Sequence, residues 1–290
     1  MDYEGLIIRP PSEADSLLLQ LTVGCSHNKC TFCGTYQEKK FRIKSLDIIK
    51  QDLAEARSYG CVEKVFLCDG DVLIIPQIRL EEILKLINAS IHNIKRIGTY
   101  ANAKSILIKS VDDLRRLKEL GLKIIYLGVE TGNSELLKKI KKGVTYDQMV
   151  EASCRVKEAG ITLSVTVILG LGGNKNSIEY AQDTARILSD IDPDYVGALT
   201  LMLVPQTPLY NDYISGRFAL PDKFGFLREL YLIIANANFT NCYFTANHAS
   251  NYLPVRAYLP GDKGKILNLI GSIIDAKDIS KMRPEYLRGL

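Results

Sequence analysis

Short apolar runs alternate with longer stretches of helical period from residue 16 onward. SLLLQLTV (16–23) predicts a first strand, and SLDIIKQDLAEARSYG (45–60) a helix with a Ser cap and a Gly stop. KVFLCD (64–69) predicts a second strand, followed by a helix at 78–90. KRIGTYA (95–101) predicts a third, and SVDDLRRLKELG (110–121) spaces its apolar residues three and four apart, as a helix does. KIIYLGVE (123–130) predicts a fourth, with helices at 133–142 and 146–160. ITLSVTVILG (161–170) predicts a fifth, SIEYAQDTARILSD (177–190) its helix, and YVGALTLMLVP (195–205) a sixth.

Strands that are apolar almost throughout, each followed by a helix, indicate a parallel sheet covered by helices. An open doubly wound sheet and a full or partial β/α barrel both satisfy this pattern, and both put functional loops at the carboxyl ends of the strands. After about residue 216 the pattern weakens. A helix at 222–238 precedes the Tyr-, Phe- and Asn-rich stretch NFTNCYFTANHASNYLP (238–254), and another helix lies near 263–276. The expected organisation is a core at 1–215 and a C-terminal helical and loop cap at 216–290.

With 290 residues, 47% hydrophobic and 24% charged, the composition is that of a globular protein, neither disordered nor fibrous. A net charge of +4 does not by itself point to nucleic acid. No apolar run reaches the roughly 18 residues of a membrane span, and MDYEGLIIRP carries acidic residues where a signal peptide has basic ones. A soluble, cytoplasmic protein is expected.

Seven cysteines is an odd count, and Cys25, Cys30 and Cys33 fall within nine residues. Their segment, GCSHNKCTFCG, begins where the first strand ends, in the first functional loop. Clustered thiolates select zinc or iron–sulfur clusters. Zinc held by the three thiols with His27 or a distant residue is one reading, although structural zinc sites commonly use two separate ligand pairs. A 2Fe–2S cluster is a second, since the thiols run C-x(4)-C-x(2)-C and Cys61 offers a distant fourth. Cys61 precedes the second strand, however, and a strand of six to eight residues separates the two sheet ends by roughly 20 Å. A 4Fe–4S cluster held by three thiols, with one iron open to a ligand, is the third.

CSHNKCTFC, with Phe32 just before the last thiol, resembles the cluster loop of the radical S-adenosylmethionine (SAM) enzymes. Their usual spacing is C-x(3)-C-x(2)-C, and this chain has one residue more in the first gap. The resemblance extends over most of 15–215 and implies a partial (β/α)6 barrel of TIM type. It also implies a 4Fe–4S cluster on Cys25, Cys30 and Cys33, with SAM bound beside it. CDGD (68–71) stands where the superfamily holds the methionine amino group, which points to Asp69, Gly70 and Asp71. GVETG (128–132) points to Glu130 as a SAM contact, and ILGLGG (168–173) to Gly170 and Gly172 beside the adenine. Within the superfamily the likeness is to the oxygen-independent coproporphyrinogen oxidase-like branch. VPQTPLY (204–210) resembles its Glu-Pro-x-Thr-Pro-Leu segment with Val204 for the Glu. TYAN (99–102) stands at a ribose-binding Glu-Ala-Asn element, with Tyr100 for the Glu and Asn102 kept, and Thr166 stands where that branch has an Asp. The likeness therefore reaches the superfamily rather than porphyrinogen chemistry.

The implied activity is reductive cleavage of SAM at the cluster to a 5′-deoxyadenosyl radical, which abstracts hydrogen from a small or medium organic substrate. An external one-electron donor of flavodoxin or ferredoxin type is implied as well. An iron–sulfur binding or electron-transfer protein without SAM cleavage is the alternative. His248, in the polar segment TANHASNY (245–252), is the candidate substrate-side residue, on a loop read as a lid. KKIKKG (138–143) reads as a solvated helix face, and neither nucleic acid nor membrane is expected as a partner.

Overall fold

A computed structural model of the chain describes residues 1–289. The six apolar runs form β1 (Leu17–Gln20), β2 (Lys64–Cys68), β3 (Arg96–Ala101), β4 (Leu122–Glu130), β5 (Thr162–Leu169) and β6 (Tyr195–Thr200). The run predicted as the first strand breaks at Leu21, whose N–H turns to the Cys68 carbonyl at 2.7 Å. Thr22 and Val23 then pair antiparallel with Ile43 and Arg42, which closes the base of the cysteine loop. The α/β class expected from the sequence is the one observed.

The chain divides into two compact units. The first comprises residues 1–28, 35–127 and 151–163. Its strands β1, β2, β3 and β4 pair in that order and all parallel, with Leu17 opposite Val65, Lys64 opposite Arg96 and Tyr100 opposite Tyr126. The connections carry α1 (Leu46–Ala56), α2 (Gln77–Ser90), the short α3 (Ala103–Leu107) and α4 (Val111–Glu119). Side-chain caps start the helices as the sequence suggests: the Ser45 hydroxyl accepts from the Ile48 N–H, and Ser110 and Asp113 form a reciprocal capping box.

Alternation along the strands puts Leu18, Phe66, Cys68, Tyr100, Ile124 and Tyr126 on one face, where they cluster with Ile7. The N-terminal segment therefore lies across that face. Glu13, fully buried, pins it there, accepting from the Tyr126 hydroxyl at 2.5 Å and the Ser16 hydroxyl at 2.5 Å and pairing with Arg96 at 2.7 Å.

The second unit comprises residues 29–34, 128–150 and 164–290. After α5 (Ser134–Lys139) and α6 (Tyr146–Glu158), which enters the first unit at Glu151, come α7 (Ser177–Ile191), α8 (Pro208–Ile214) and α9 (Lys223–Asn236). β5 and β6 are parallel, and β6 continues parallel to β7 (Cys242–Thr245). β7 pairs antiparallel with β8 (Arg256–Leu259), after which α10 (Lys263–Ala276) follows. The sequence reading places no strand at 238–254, yet β7 lies inside it. Its four residues alternate buried Cys242 and Phe244 with half-buried Tyr243 and Thr245. All four side chains have apolar parts, so the period of two is invisible in composition.

On β5, Leu163, Val165, Val167 and Leu169 are buried, whereas Ser164, Thr166 and Ile168 on the other face are half-buried. β6 repeats this, with Gly197 and Leu199 partly accessible. Among the described residues, no helix is long and apolar enough to cross a membrane.

Glu13→Ala would strand the Arg96 guanidinium, whose Nε is already buried without a partner. Removing one member of a buried pair is strongly destabilising, so a loss of roughly 3 kcal/mol is expected in urea unfolding. An unchanged unfolding free energy would show that the Glu13 contacts contribute nothing to stability.

Candidate active site at the strand ends

Apart from Tyr100 and Thr166, which lie within strands, the candidate residues stand at or after strand ends, where parallel α/β proteins gather functional loops. In the first unit, Cys25 lies in the loop after β1 and is half-buried. Gly24, just before it, turns the chain in the left-handed region with φ +79°. Its N–H donates to Asp69 Oδ2 at 3.1 Å, and the Gly70 N–H returns to the Gly24 carbonyl at 3.2 Å. A Cβ on Gly70 would meet the Cys25 Cβ at 2.9 Å and the Tyr36 ring at 2.8 Å. The CDGD turn is thus packed against the first thiol, and only glycine fits at its centre.

Asp69 and Asp71 are both fully buried but differently served. On Asp69, Oδ2 takes Gly24, Gln20 Nε2 at 3.4 Å and the Lys39 ammonium at 3.6 Å. Oδ1 is buried and makes no hydrogen bond. Tyr36 is its electrostatic neighbour: burial, then the Asp69 carboxylate, pushes that phenol above its usual range. On Asp71, Oδ2 accepts from the Ser26 hydroxyl, and Oδ1 accepts from the Ser105 hydroxyl at 2.5 Å and the Asn102 N–H at 3.2 Å. Burial raises its pKa against these three donors. Asp71 is therefore a strut between the cysteine loop and the start of α3. Asn102 caps that helix, its Oδ1 accepting from the Lys104 N–H at 3.1 Å. The Tyr100 ring is held edge-on by Phe66 at 5.1 Å and Tyr126 at 6.0 Å. Cys61 is exposed in the loop before β2, at the other end of the strands from the loop that carries Cys25.

In the second unit, Cys30 and Cys33 are likewise half-buried. The Thr31 N–H donates to the Ile140 carbonyl at 3.0 Å, and its carbonyl accepts from the Leu209 N–H at 3.0 Å. Phe32 packs on the cluster of Leu136, Ile140, Leu171, Leu201, Leu209 and Phe218. Thr207 caps α8 with Pro208 at its first position, so the VPQTPLY run works as a helix start beside the Thr31 anchor. Among the described residues, no three His, Cys, Asp or Glu side chains are gathered closely enough to hold a metal ion.

Glu130 ends β4 with φ 66°, and Lys142 pairs with its carboxylate at 2.6 Å. Gly128 makes the room, since a Cβ there would meet Glu130 Oε1 at 2.2 Å. Thr166 lies half-buried in mid-β5, opposite Gly197. At the glycine-rich turn, the space beside the backbone is filled from within: a Cβ on Gly170 would meet Phe226 at 2.2 Å, and one on Gly172 would meet Tyr180 at 2.0 Å.

His248 sits on a segment bound to the end of β6. Ser250 Oγ accepts from the Thr200 N–H at 3.2 Å, Asn251 accepts from the Thr200 hydroxyl at 2.8 Å, and Arg283 donates to the carbonyls of 248, 249 and 251. Burial, then Arg283, lowers the pKa of the ring, so it is neutral at pH 7. The Ser250 N–H donates to Nδ1 at 3.1 Å, which leaves the ring proton on Nε2. Nε2–H makes no hydrogen bond with the described residues and is available as a donor.

Sequence reasoning missed the residues that hold this framework: Ser26, Lys39, Ser105, Glu13 and Glu229. Glu229, on α9, accepts from the Gly170 N–H at 2.6 Å and from the Ser177 hydroxyl, and so fixes the glycine-rich turn. A buried acid on an otherwise apolar helix face was the available signal.

Thiols, acids and glycine turns thus stand at or after the ends of strands in an α/β fold. The family model described as the radical SAM superfamily matches residues 19–187, and the chain belongs to that superfamily, which is one of enzymes. It is 22% identical over 163 residues to the heme chaperone HemW of Bacillus subtilis, covering 56% of this chain and 42% of that protein. It is 26% identical to a biotin synthase of Thioalkalivibrio sulfidiphilus, covering 74% of this chain and 60% of the relative. The chain thus spans less than two thirds of either relative. Coproporphyrinogen III oxidase (HemN) of Escherichia coli, a radical SAM enzyme, superposes with a TM-score of 0.58 at 18% identity, over 76% of this chain and 51% of the oxidase. This likeness shows the fold, in agreement with the TIM-type class expected from the sequence.

Burial raises the pKa of Glu229 to about 7, against the Ser177 and Gly170 donors. The folded state then holds this proton more tightly than the unfolded chain does. Stability from this group is present in full below pH 4.5, the ordinary value, and is lost as pH rises through about 7. Glu229→Gln should remove that dependence. The unfolding free energy of the native chain relative to the variant should fall by roughly 3 kcal/mol between pH 4 and pH 8. Parallel pH profiles would mean that Glu229 ionises normally.

Proposed function

We propose that the chain is a radical SAM enzyme acting on a small or medium organic substrate. The observation that carries the reading is the three-thiol loop after β1, laced to an acidic turn after β2 in which one buried carboxylate oxygen has no hydrogen bond. Three soft, half-buried thiols on one short loop suit a 4Fe–4S cluster with an open iron. When bound, the cluster and SAM supply one-electron cleavage and the 5′-deoxyadenosyl radical, using an electron from an external flavodoxin or ferredoxin.

The rest is the work of this chain's own residues. Cys25, Cys30 and Cys33 hold the cluster. Asp69 offers Oδ1 to a cationic donor such as the SAM ammonium group, while Gln20, Gly24 and Lys39 keep its other oxygen fixed. Asp71 braces the loop through Ser26. Gly70 lets the turn lie against Cys25, and Phe32 anchors the segment between the other two thiols in the second unit's core. Tyr100, Asn102, Glu130, Thr166, Gly170 and Gly172 remain the SAM-side candidates. Of these, Glu130 would contribute through a carboxylate already shared with Lys142, and the two glycines through backbone groups rather than open space. His248 presents Nε2–H toward substrate. A cytoplasmic location belongs to the same reading, because thiolate ligands persist in a reducing compartment.

Anaerobically reconstituted protein should hold about four irons per chain and release methionine and 5′-deoxyadenosine on reduction with SAM. Ala at Cys25, Cys30 or Cys33 should abolish iron retention, and Cys61→Ala should not. A reducible cluster without 5′-deoxyadenosine would favour an electron-transfer protein, and stoichiometric zinc would sink both readings.

His248→Ala should leave SAM cleavage without substrate nearly intact while lowering substrate-dependent product about 100-fold, the scale of a displacement of about 1 Å. Normal product formation would place the substrate contacts elsewhere.

A further inference from the structure

Residues 282–288 lie against the turn that carries His248, and two arginines of that stretch hold the turn by its backbone. Arg283 Nη1 donates to the carbonyls of His248 at 2.9 Å, Ala249 at 2.7 Å and Asn251 at 2.8 Å. Arg288 Nε takes the carbonyl between the last two, that of Ser250, at 2.7 Å. Four successive carbonyls are thus met by guanidinium groups. The Arg283 backbone N–H adds a bond to the Tyr252 carbonyl at 2.6 Å, and the Arg288 guanidinium lies over the Tyr252 ring, 4.0 Å from its centroid. Arg283 forms no ion pair with the described residues, so its side-chain donors are committed to backbone geometry rather than to a carboxylate.

The same turn fixes the imidazole. The Ser250 N–H donates to His248 Nδ1 at 3.1 Å, and Ser250 Oγ accepts from the Thr200 N–H, at the end of β6, at 3.2 Å. Ser250 is therefore held by β6 through its hydroxyl and by the two arginines through its own carbonyl and those on either side of it. The ring is half-buried, and its Nε2–H makes no hydrogen bond with the described residues. A ring with one nitrogen bound by its own turn and the other open is an oriented donor, and its aim depends on what holds the turn.

We propose that Arg283 is a positioning residue, which holds the His248 turn so that Nε2–H is presented to an acceptor oxygen of the substrate, a carbonyl or a hydroxyl. Assigning that oxygen to a substrate rests on the enzyme reading above; the hold of Arg283 on the imidazole does not.

NMR on the full chain labelled with nitrogen-15 tests the hold, with His27 and His92 as internal references and His248→Gln to assign the ring signal. At pH 8 the native ring should carry its proton on Nε2, with Nδ1 accepting from the Ser250 N–H. In Arg283→Gln the ring protonated on Nδ1 should appear beside it, and the Ser250 amide should exchange with solvent at least tenfold faster. Arg283→Lys, which keeps the charge and three donors, should restore both signals, and His27 and His92 should be unchanged throughout. If Arg283→Gln lowers only the melting temperature, and leaves the ring and the Ser250 exchange as in the native chain, the proposal is overturned. A native ring protonated on Nδ1 overturns it as well, and that measurement needs no variant to fold. The 5′-deoxyadenosine assay on the same samples is read separately. If the native chain forms none while the ring still depends on Arg283, the positioning role stands and the enzyme reading fails. Arg283→Gln should itself leave SAM cleavage without substrate intact.

Discussion

A carboxylate taken out of water must be met by donors, and the loops of this chain are organised around that demand. Glu13, Asp69, Asp71 and Glu229 are each no more than 5% exposed. Leaving one of them unserved would cost several kcal/mol, so each fixes the segments that serve it. Glu13 draws the N-terminal segment onto the sheet, and Asp69 ties Gly24 and Lys39 to the end of β2. Asp71 joins the cysteine loop to α3, and Glu229 joins α9 to the glycine-rich turn after β5. Parallel strands bring loop starts to their carboxyl ends, where Asp69 and Asp71 hold loops of the first unit and Glu229 holds the turn after β5 in the second.

Glycine does the complementary work. Gly70 brings backbone against Cys25, and Gly128 leaves room for the Glu130 carboxylate. Gly170 and Gly172 differ, because Phe226 and Tyr180 occupy the space a side chain would take. A glycine-rich turn after a strand therefore has two physical origins, an opening for a ligand or close packing by the protein's own rings. Sequence cannot separate them, because Tyr180 comes from a helix that begins five residues after Gly172 and Phe226 from one that begins 53 residues after Gly170.

The same argument explains what was legible in advance. The six strands and most of their helices were, because apolar period and Ser, Asp and Gly stops are local signals. The cysteine loop and the acids of CDGD were too, as compact runs at strand ends. The partners of those acids were not. Asp71 meets Ser105 across 34 residues, Gly24 meets Asp69 across 45, Glu229 reaches Gly170 across 59, and Tyr126 meets Glu13 across 113. Such pairings leave no periodicity, and a serine that braces a carboxylate looks like any other serine. β7 was missed for another reason: four amphipathic residues are too few to display a period of two.

The two acids of the CDGD turn show how equal residues acquire unequal roles. Read from sequence, Asp69 and Asp71 are interchangeable carboxylates at one strand end. In the structure, three protein donors cover both oxygens of Asp71, so a ligand could reach it only by displacing a hydroxyl or an amide that also holds a loop. Asp69 gathers its donors onto one oxygen and keeps the other buried and bare. A bare buried carboxylate oxygen is tolerable only while Lys39 balances its charge, and it gains most from a cationic group that arrives with its own hydrogens. The division of labour follows from where the donors fall: Asp71 spends both oxygens on holding the loop, and Asp69 keeps one buried oxygen without a hydrogen bond.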